Sequence, residues 1–295
     1  MYICRVLIKS IKEMKKIIFL IAATALLCAA VSCSDDEPKR GDGVFVVNTF
    51  MINHMVNASN GSVIGIGSTN NKLTLDTVKH IASIELQYNN GSIQTASLSD
   101  VKALPKRLGF YELSSSGNAQ IKEFKGYVDF NEGSMRYVYT TTDGIRVIST
   151  NTEVFFLKTQ NIITYDDTTK ATSMDNVMYQ FNIMPSQQTA IVKVMDIVHA
   201  KHLRRLDNIT SAAIPFTVTP NGYQFSGQDI STTASYRSWT DSTGTATPKV
   251  TDEYPFKTFN ATIDLVNDSL IINYMMGSSA TVAAKGCTYP DYTAY

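Results

Sequence analysis

Nine short runs rich in Val, Ile, Thr, Tyr and Phe run through this chain, at residues 44–47, 81–88, 127–130, 135–140, 154–157, 179–183, 191–198, 214–218 and 270–274. Asn-Gly, Asp-Gly, Asn-Asp and Gly-Ser pairs stand between them, the dipeptides that turn one strand back onto the next. Helical periodicity is scarce. It is confined to residues 99–107, where Ser99 could cap a turn that Pro105 limits, and to residues 199–206. The pattern predicts an all-β fold of antiparallel barrels or sandwiches, lipocalin-like barrels among them, and not alternating βαβ units.

An internal repeat organises these strands. Residues 124–151 align without gaps on 259–286, pairing Phe124 with Phe259, Asp129 with Asp264, Ser134 with Ser269, Tyr139 with Tyr274 and Val147 with Val282. Five identities in 28 positions are few, but strand, polar turn, strand, polar turn and strand recur in the same order. Upstream, Asn90-Gly91 parallels Asn221-Gly222, and the alternation of Leu73 and Leu75 parallels that of Val192 and Val194. The expectation is two similar β-domains, 44–155 and 156–288, with a tail at 289–295. An insertion at 231–255 sets the second apart. Chance is the competing explanation, because all hairpins share one turn vocabulary.

The N-terminus carries a different signal. Lys15 and Lys16 precede an apolar run at 17–30, and Val31, Ser32 and Cys33 follow. That is the tripartite form of a secretory signal. Its run of about 14 residues falls short of the roughly 20 that span a bilayer as a helix. Ala30-Val31-Ser32-Cys33 resembles the lipobox of bacterial lipoproteins, which implies lipid attachment to Cys33 after removal of 1–32. An ordinary signal peptide with an incidental Cys33 is the other reading. Residues 33–43, with Ser34, Asp35, Asp36 and Glu37 at their head, form a tether too poor in apolar groups to pack. The signal is complete from Met14, so translation could start there or at Met1.

Charge and cysteine usage restrict the partners. Residues 1–32 hold five of the 26 basic and one of the 26 acidic residues, leaving 21 against 25 in the exported part and a formal charge of −4. A mildly acidic body argues against nucleic acid, which demands a basic face. Of Cys4, Cys28, Cys33 and Cys287, only Cys287 remains as a thiol in the body, so no internal disulfide can form.

No catalytic, metal or cofactor motif emerges. His199 and His202 have HxxH spacing near Asp196, but the preceding run looks extended and no Glu stands between the histidines. His54 and His80 are isolated, and Glu123, Glu132 and Glu153 fall at expected strand ends or turns. Binding is easier to derive. Trp239, the only tryptophan, lies with Tyr236, Arg237 and Tyr254 in or beside the insertion, where exposed rings and a guanidinium suit a sugar or peptide. The alternative is a carrier of an apolar ligand with methionines such as Met174, Met178, Met184, Met195, Met275 and Met276 lining a cavity, against which flexible core filling is the plainer use. A hydrolase with an unrecognised site is a third possibility.

Met-Lys-Lys-Ile opening the signal, Val-Ser-Cys followed by Ser-Asp-Asp-Glu, and a neutral Thr/Asn/Ser-rich β body together resemble cell-surface lipoproteins of gut Bacteroidetes, including domain-of-unknown-function families. The resemblance implies an outer-membrane lipoprotein, its acidic residues after Cys33 matching the signal for display on the outer face, with the periplasmic face as the alternative. It also implies glycans, peptides or a neighbouring lipoprotein or transporter as partners. It implies no catalytic residue and no cofactor.

Overall fold

The computed structural model describes residues 43–89, 91–165, 171–175, 177–197, 206–236, 250–251, 255–277 and 280–289. Every regular element among them is a strand. β1 (Val44–Asn57), β2 (Val63–Asp76), β3 (Ile81–Asn89), β4 (Ile93–Arg107), β5 (Phe110–Ser115), β6 (Ile121–Asp129), β7 (Ser134–Thr141) and β8 (Ile145–Thr150) follow one another as an antiparallel meander. β8 returns to pair with β1, with Met55 opposite Val147, and closes an eight-stranded barrel.

The closing principle is side-chain alternation. Along β3 every second residue is buried (Ala82, Ile84, Leu86, Tyr88), while Ser83 and Glu85 face water. Leu73, Leu75, Leu98, Val101 and Tyr139 fill the interior beside them, so the barrel holds a packed core. Outward positions carry charges such as Lys72, Glu85 and Lys102. A transmembrane barrel is built the other way, with its apolar band outside.

The remaining strands repeat that plan with interruptions. They are β9 (Glu153–Phe156), β10 (Lys158–Tyr165), β11 (Ala171–Asp175), β12 (Met178–Met184), β13 (Thr189–Ile197), β14 (Leu206–Ser211), β15 (Ile214–Thr219), β16 (Gly222–Ile230), β17 (Thr232–Tyr236), β18 (Val250–Thr251), β19 (Phe256–Asp264), β20 (Ser269–Met276) and β21 (Ala280–Cys287). β12, β13, β15, β16, β19, β20, β21 and β10 follow each other in space as β2 through β8 and β1 do. Three departures distinguish this second sheet. β10 and β12 do not pair, β11 and β9 flank them instead, and β14, β17 and β18 form a flap on β13.

The aligned residues occupy equivalent ladder positions. Phe124 stands opposite Tyr139 and Tyr139 opposite Val147; Phe259 stands opposite Tyr274 and Tyr274 opposite Val282. All six are buried. The upstream parallels fail by one hairpin. Asn221-Gly222 joins β15 to β16, which correspond to β4 and β5, whereas Asn90-Gly91 lies between β3 and β4. Val192 and Val194 lie on β13, the counterpart of β3, while Leu73 and Leu75 lie on β2. Turn chemistry recurs at every hairpin and marks no particular one. Gly222 has its own reason, since a Cβ there would come 2.2 Å from the carbonyl oxygen of Ile263.

A buried asparagine sits at one equivalent position in both sheets. Asn53 faces Ser149 on β8 and Asn161 faces Ala284 on β21, each two residues beyond the matched valines. Asn53 Nδ2 donates to Thr69 Oγ1 (2.5 Å) and to the carbonyl of Gln87 (2.7 Å), and Ser149 Oγ donates to Asn53 Oδ1 (2.7 Å). The β2–β3 ladder runs from Asp76↔Ile81 only as far as Lys72↔Glu85, so these side chains take over where it stops. Asn161 bridges the β10–β12 gap in the same manner, accepting from Tyr179 Oη at 2.6 Å. Asn53→Ala strands these buried groups and is expected to lower stability by about 1–3 kcal/mol in chemical unfolding, against less than about 0.5 kcal/mol for Ser173→Ala on exposed β11.

One sequence expectation is corrected. Residues 99–107 form the second half of β4 and not a helical turn, with Val101 and Ala103 buried and their neighbours exposed. Asp100 takes φ 57°, and the β3–β4 register shifts beside it. The local signal for a helix start was a bulge, and burial of alternate residues settled the conformation.

Candidate functional site

The two sheets meet along a seam that draws on both chain halves. Ile52, Val138 and Ile148, on the outside of the first barrel, belong to the same apolar cluster as Phe181, Phe225 and Phe259. Two arginines cross the seam. Arg136 Nη1 lies 2.8 Å from Asp268 Oδ1 and donates to the carbonyl of Leu265, while Arg146 Nη2 donates to Pro220 O and Asn221 Oδ1, each at 2.9 Å. Asp268 Oδ2 also accepts the amides of Thr288 and Tyr289, and Tyr289 Oη donates to Asp129 at 2.6 Å. The Tyr289 ring is clasped between Phe110 and Tyr127, with Arg107 5.0 Å from its centre.

His54 is fully buried in this seam, stacked on Tyr223 at 6.0 Å. Neither of its ring nitrogens has a hydrogen-bond partner among the described residues. Burial, assisted by the Arg146 charge, pushes its pKa down to about 4. Its neutral form is favoured, and the ring packs against Tyr223. Reading His54 as merely isolated missed this, because only the fold puts Arg146 and Tyr223 beside it.

A more open feature lies on the second sheet. An outward row crosses four strands: Asp175 on β11 opposes Gln160 on β10, Gln160 opposes Lys285 on β21, and Lys285 opposes Ile271 on β20. At about 4.8 Å per strand the row is about 14 Å long, the span of about four extended residues. Lys158 and Ser269 lie beside it, two residues along β10 and β20, and with Asn267 of the β19–β20 turn they line a shallow, open cleft of about 700 Å³. Gly286, between Lys285 and Cys287, faces the inner side of the sheet, where a Cβ would meet Thr159 Cγ2 at 2.5 Å. An amide, two ammoniums, a carboxylate and one exposed isoleucine face outward together. Such a surface can hydrogen-bond a polar polymer along its length.

The residues singled out by sequence are distributed otherwise. Tyr236 ends β17, where it pairs with Leu206. Arg237, Trp239, Tyr254, Cys33, His199 and His202 lie outside the described residues. Asp196 sits in β13 with φ 62°. Cys287 ends β21 at the cleft, half-buried and in no disulfide. The methionines do not converge: Met276 is buried, Met275 is exposed, and Met178, Met184 and Met195 alternate with buried neighbours on β12 and β13. Among the described residues no group of three His, Cys, Asp or Glu could hold a metal ion, and no helix is long and apolar enough to cross a membrane.

No family model matches the sequence, and no curated protein matches it. Among solved structures, one similar chain is a candidate outer membrane protein of Bacteroides fragilis, 13% identical, with a TM-score of 0.32 over 84% of this chain and 97% of that one. A likeness at that score carries no argument about either chain's fold or role. The cleft therefore stands on its own geometry. Sequence reasoning did not find it because its seven polar and apolar side chains come from β10, β11, β20, β21 and a turn, in no local pattern.

Proposed function

We propose that this chain is a lipoprotein anchored through Cys33 on the outer face of a bacterial outer membrane, and that its body binds an extended polar ligand, glycan or peptide, without transforming it. The observation that carries the binding role is the outward row Asp175–Gln160–Lys285–Ile271 with Lys158 beside it. Paired strands fix the spacing of those groups before any ligand arrives, which lowers the ordering cost of binding. The anchor rests on the Lys15-Lys16 charge, the apolar run and Ala30-Val31-Ser32-Cys33. Filled interiors favour this surface reading over an apolar-ligand carrier, since Phe124, Tyr139, Phe259 and Tyr274 occupy the space a cargo would need.

The experiment has a cellular and a binding arm. Protease added to intact cells should remove the body, and Cys33→Ala should release the protein from the membrane fraction. Residues 34–295 should bind members of a glycan or peptide array, with Lys158→Glu/Lys285→Glu weakening the best of them about tenfold or more, the equivalent of about 1.4 kcal/mol. If Trp239→Ala removes binding and the lysine variant does not, the contact belongs to the 231–255 insertion and the cleft assignment falls.

A further inference from the structure

The mouth of the first barrel is apolar at positions that face water. Val44 opens β1 with 64% of its surface exposed, the β2–β3 turn presents Val78 at 64%, and the β4–β5 turn presents Leu108 at 72%. The β4–β5 hairpin overshoots its neighbour: Ile81, the first residue of β3, pairs with Lys102, and β4 continues five residues further. Asn131 Nδ2 holds the tip by donating to the carbonyl of Leu108 at 2.6 Å. Behind Leu108, Phe45, Tyr111 and Phe130 line a groove of about 340 Å³, with the Phe45 and Phe130 rings 5.3 Å apart. A contiguous apolar patch of this kind marks a surface that meets something other than water.

Two observations identify what it meets. First, ten residues separate Cys33 from Val44, so Val44 at the edge of the patch lies within about 40 Å of the lipid-bearing residue however that stretch is arranged. The apolar end of the barrel is the end from which the tether departs, since Gly43 is bonded to Thr77 of the β2–β3 turn. Second, three of the nearby cations are already paired: Lys79 with Asp76 at 3.3 Å, Lys106 with Glu112 at 2.9 Å and Arg107 with Asp129 at 2.7 Å. Attraction to an anionic partner is thereby muted, while the long stems of these residues can lie along an apolar boundary with their heads in water.

We propose that the rim formed by Val44, Phe45, Val78 and Leu108 seats on the bilayer that holds the lipid of Cys33, so that the barrel stands end-on to the membrane. The inference rests on the anchor proposed above. Tethering supplies the local concentration that makes a weak apolar contact effective. The charged barrel wall stays in water, so only the rim enters the interface. A rim seated there gives the body one end fixed toward lipid, and the rest of the molecule is presented away from it.

Lipidated full-length protein in phosphatidylcholine vesicles tests this. With Trp239→Phe as background, Leu108→Trp or Val78→Trp reports the rim and Ile271→Trp reports the second sheet, and phosphatidylcholine brominated in its acyl chains quenches any tryptophan that reaches them. Either rim reporter should lose most of its emission, the sheet reporter almost none, and neither should respond to anionic lipid or high salt. Equal quenching at rim and sheet, or protein that sediments with the vesicles while both rim reporters stay bright, overturns the seating. Protein that does not sediment unless Cys33 is intact supports the anchor independently; protein whose sedimentation ignores Cys33→Ala removes the anchor instead.

Discussion

Asp268→Ala should lower the free energy of unfolding by about 3–5 kcal/mol, more than half of the margin of a marginal domain. Asp268 and Arg136 are each only 2% exposed, so removing the carboxylate leaves the guanidinium buried without its counter-charge. Arg136 cannot turn to water, for its guanidinium lies 5.5 Å from the Tyr127 ring and bonds the carbonyl of Leu265. The same carboxylate accepts the amides of Thr288 and Tyr289, so its loss also loosens the segment after β21 from the seam. Asp268 takes φ 50°, which asparagine tolerates better than alanine. Asp268→Asn should therefore lose less than the alanine variant, its deficit combining the lost charge with one acceptor oxygen replaced by an NH2 donor. In Arg136→Met/Asp268→Leu both ions disappear, and most of the pairing loss should be recovered, apart from the two amides left without an acceptor. Urea denaturation of the three variants decides the matter. Equal stability of Asp268→Ala and the parent chain would mean that the pair is open to water.

The second large effect is a pH dependence that His54→Leu removes. The folded protein holds His54 at about 4 against 6.5 for the free side chain, because burial disfavours the imidazolium and Arg146 repels it. A depressed histidine pKa means that the unfolded chain takes up the proton first. Above pH 6.5 both states are neutral and His54 adds no pH dependence. As pH falls from 6.5 towards 4 the unfolded state alone gains the proton, and the folded state loses up to about 3 kcal/mol. Below about 4 both forms are protonated and the loss levels off. Carboxylates titrate in the lower part of this window, so the informative quantity is the difference between the parent chain and His54→Leu. That difference should be near zero or favour the variant slightly at pH 7.5, since leucine buries no unbonded nitrogen, and should grow in the variant's favour at pH 5. Parallel stability curves for the two proteins between pH 7 and 4.5 would show that His54 has access to water or to a partner.

Local chemistry fixed a good deal here. All nine β-prone runs lie on strands, allowing for ends that overrun by a residue or two, because alternating apolar residues have no other way to bury one face. The ladder Phe124–Tyr139–Val147 and its partner Phe259–Tyr274–Val282 were legible as an ungapped alignment, since a hairpin of fixed length transmits register along the chain. Strands such as β2, with its Gly65, Gly67, Asn70 and Asn71, were not legible. Their apolar content is low, and they are held by pairing with β1 along almost their whole length. β1 itself continues past residue 47 through Asn53 and His54, polar residues that look like a strand end until a barrel interior and a seam bury them.

The amino-acid sequence by itself determined the all-β class and the repeated hairpins, because each follows from side-chain type and short-range spacing. Tertiary structure alone decided that the first repeat closes while the second stays open between β10 and β12, that Arg136 and Asp268 meet across 132 positions, and that Asp175, Gln160, Lys285 and Ile271 share one row. Those outcomes depend on which strand edges find each other in space. No residue carries that information alone, because backbone pairing is blind to sequence and only the summed burial of a whole sheet selects among its alternatives.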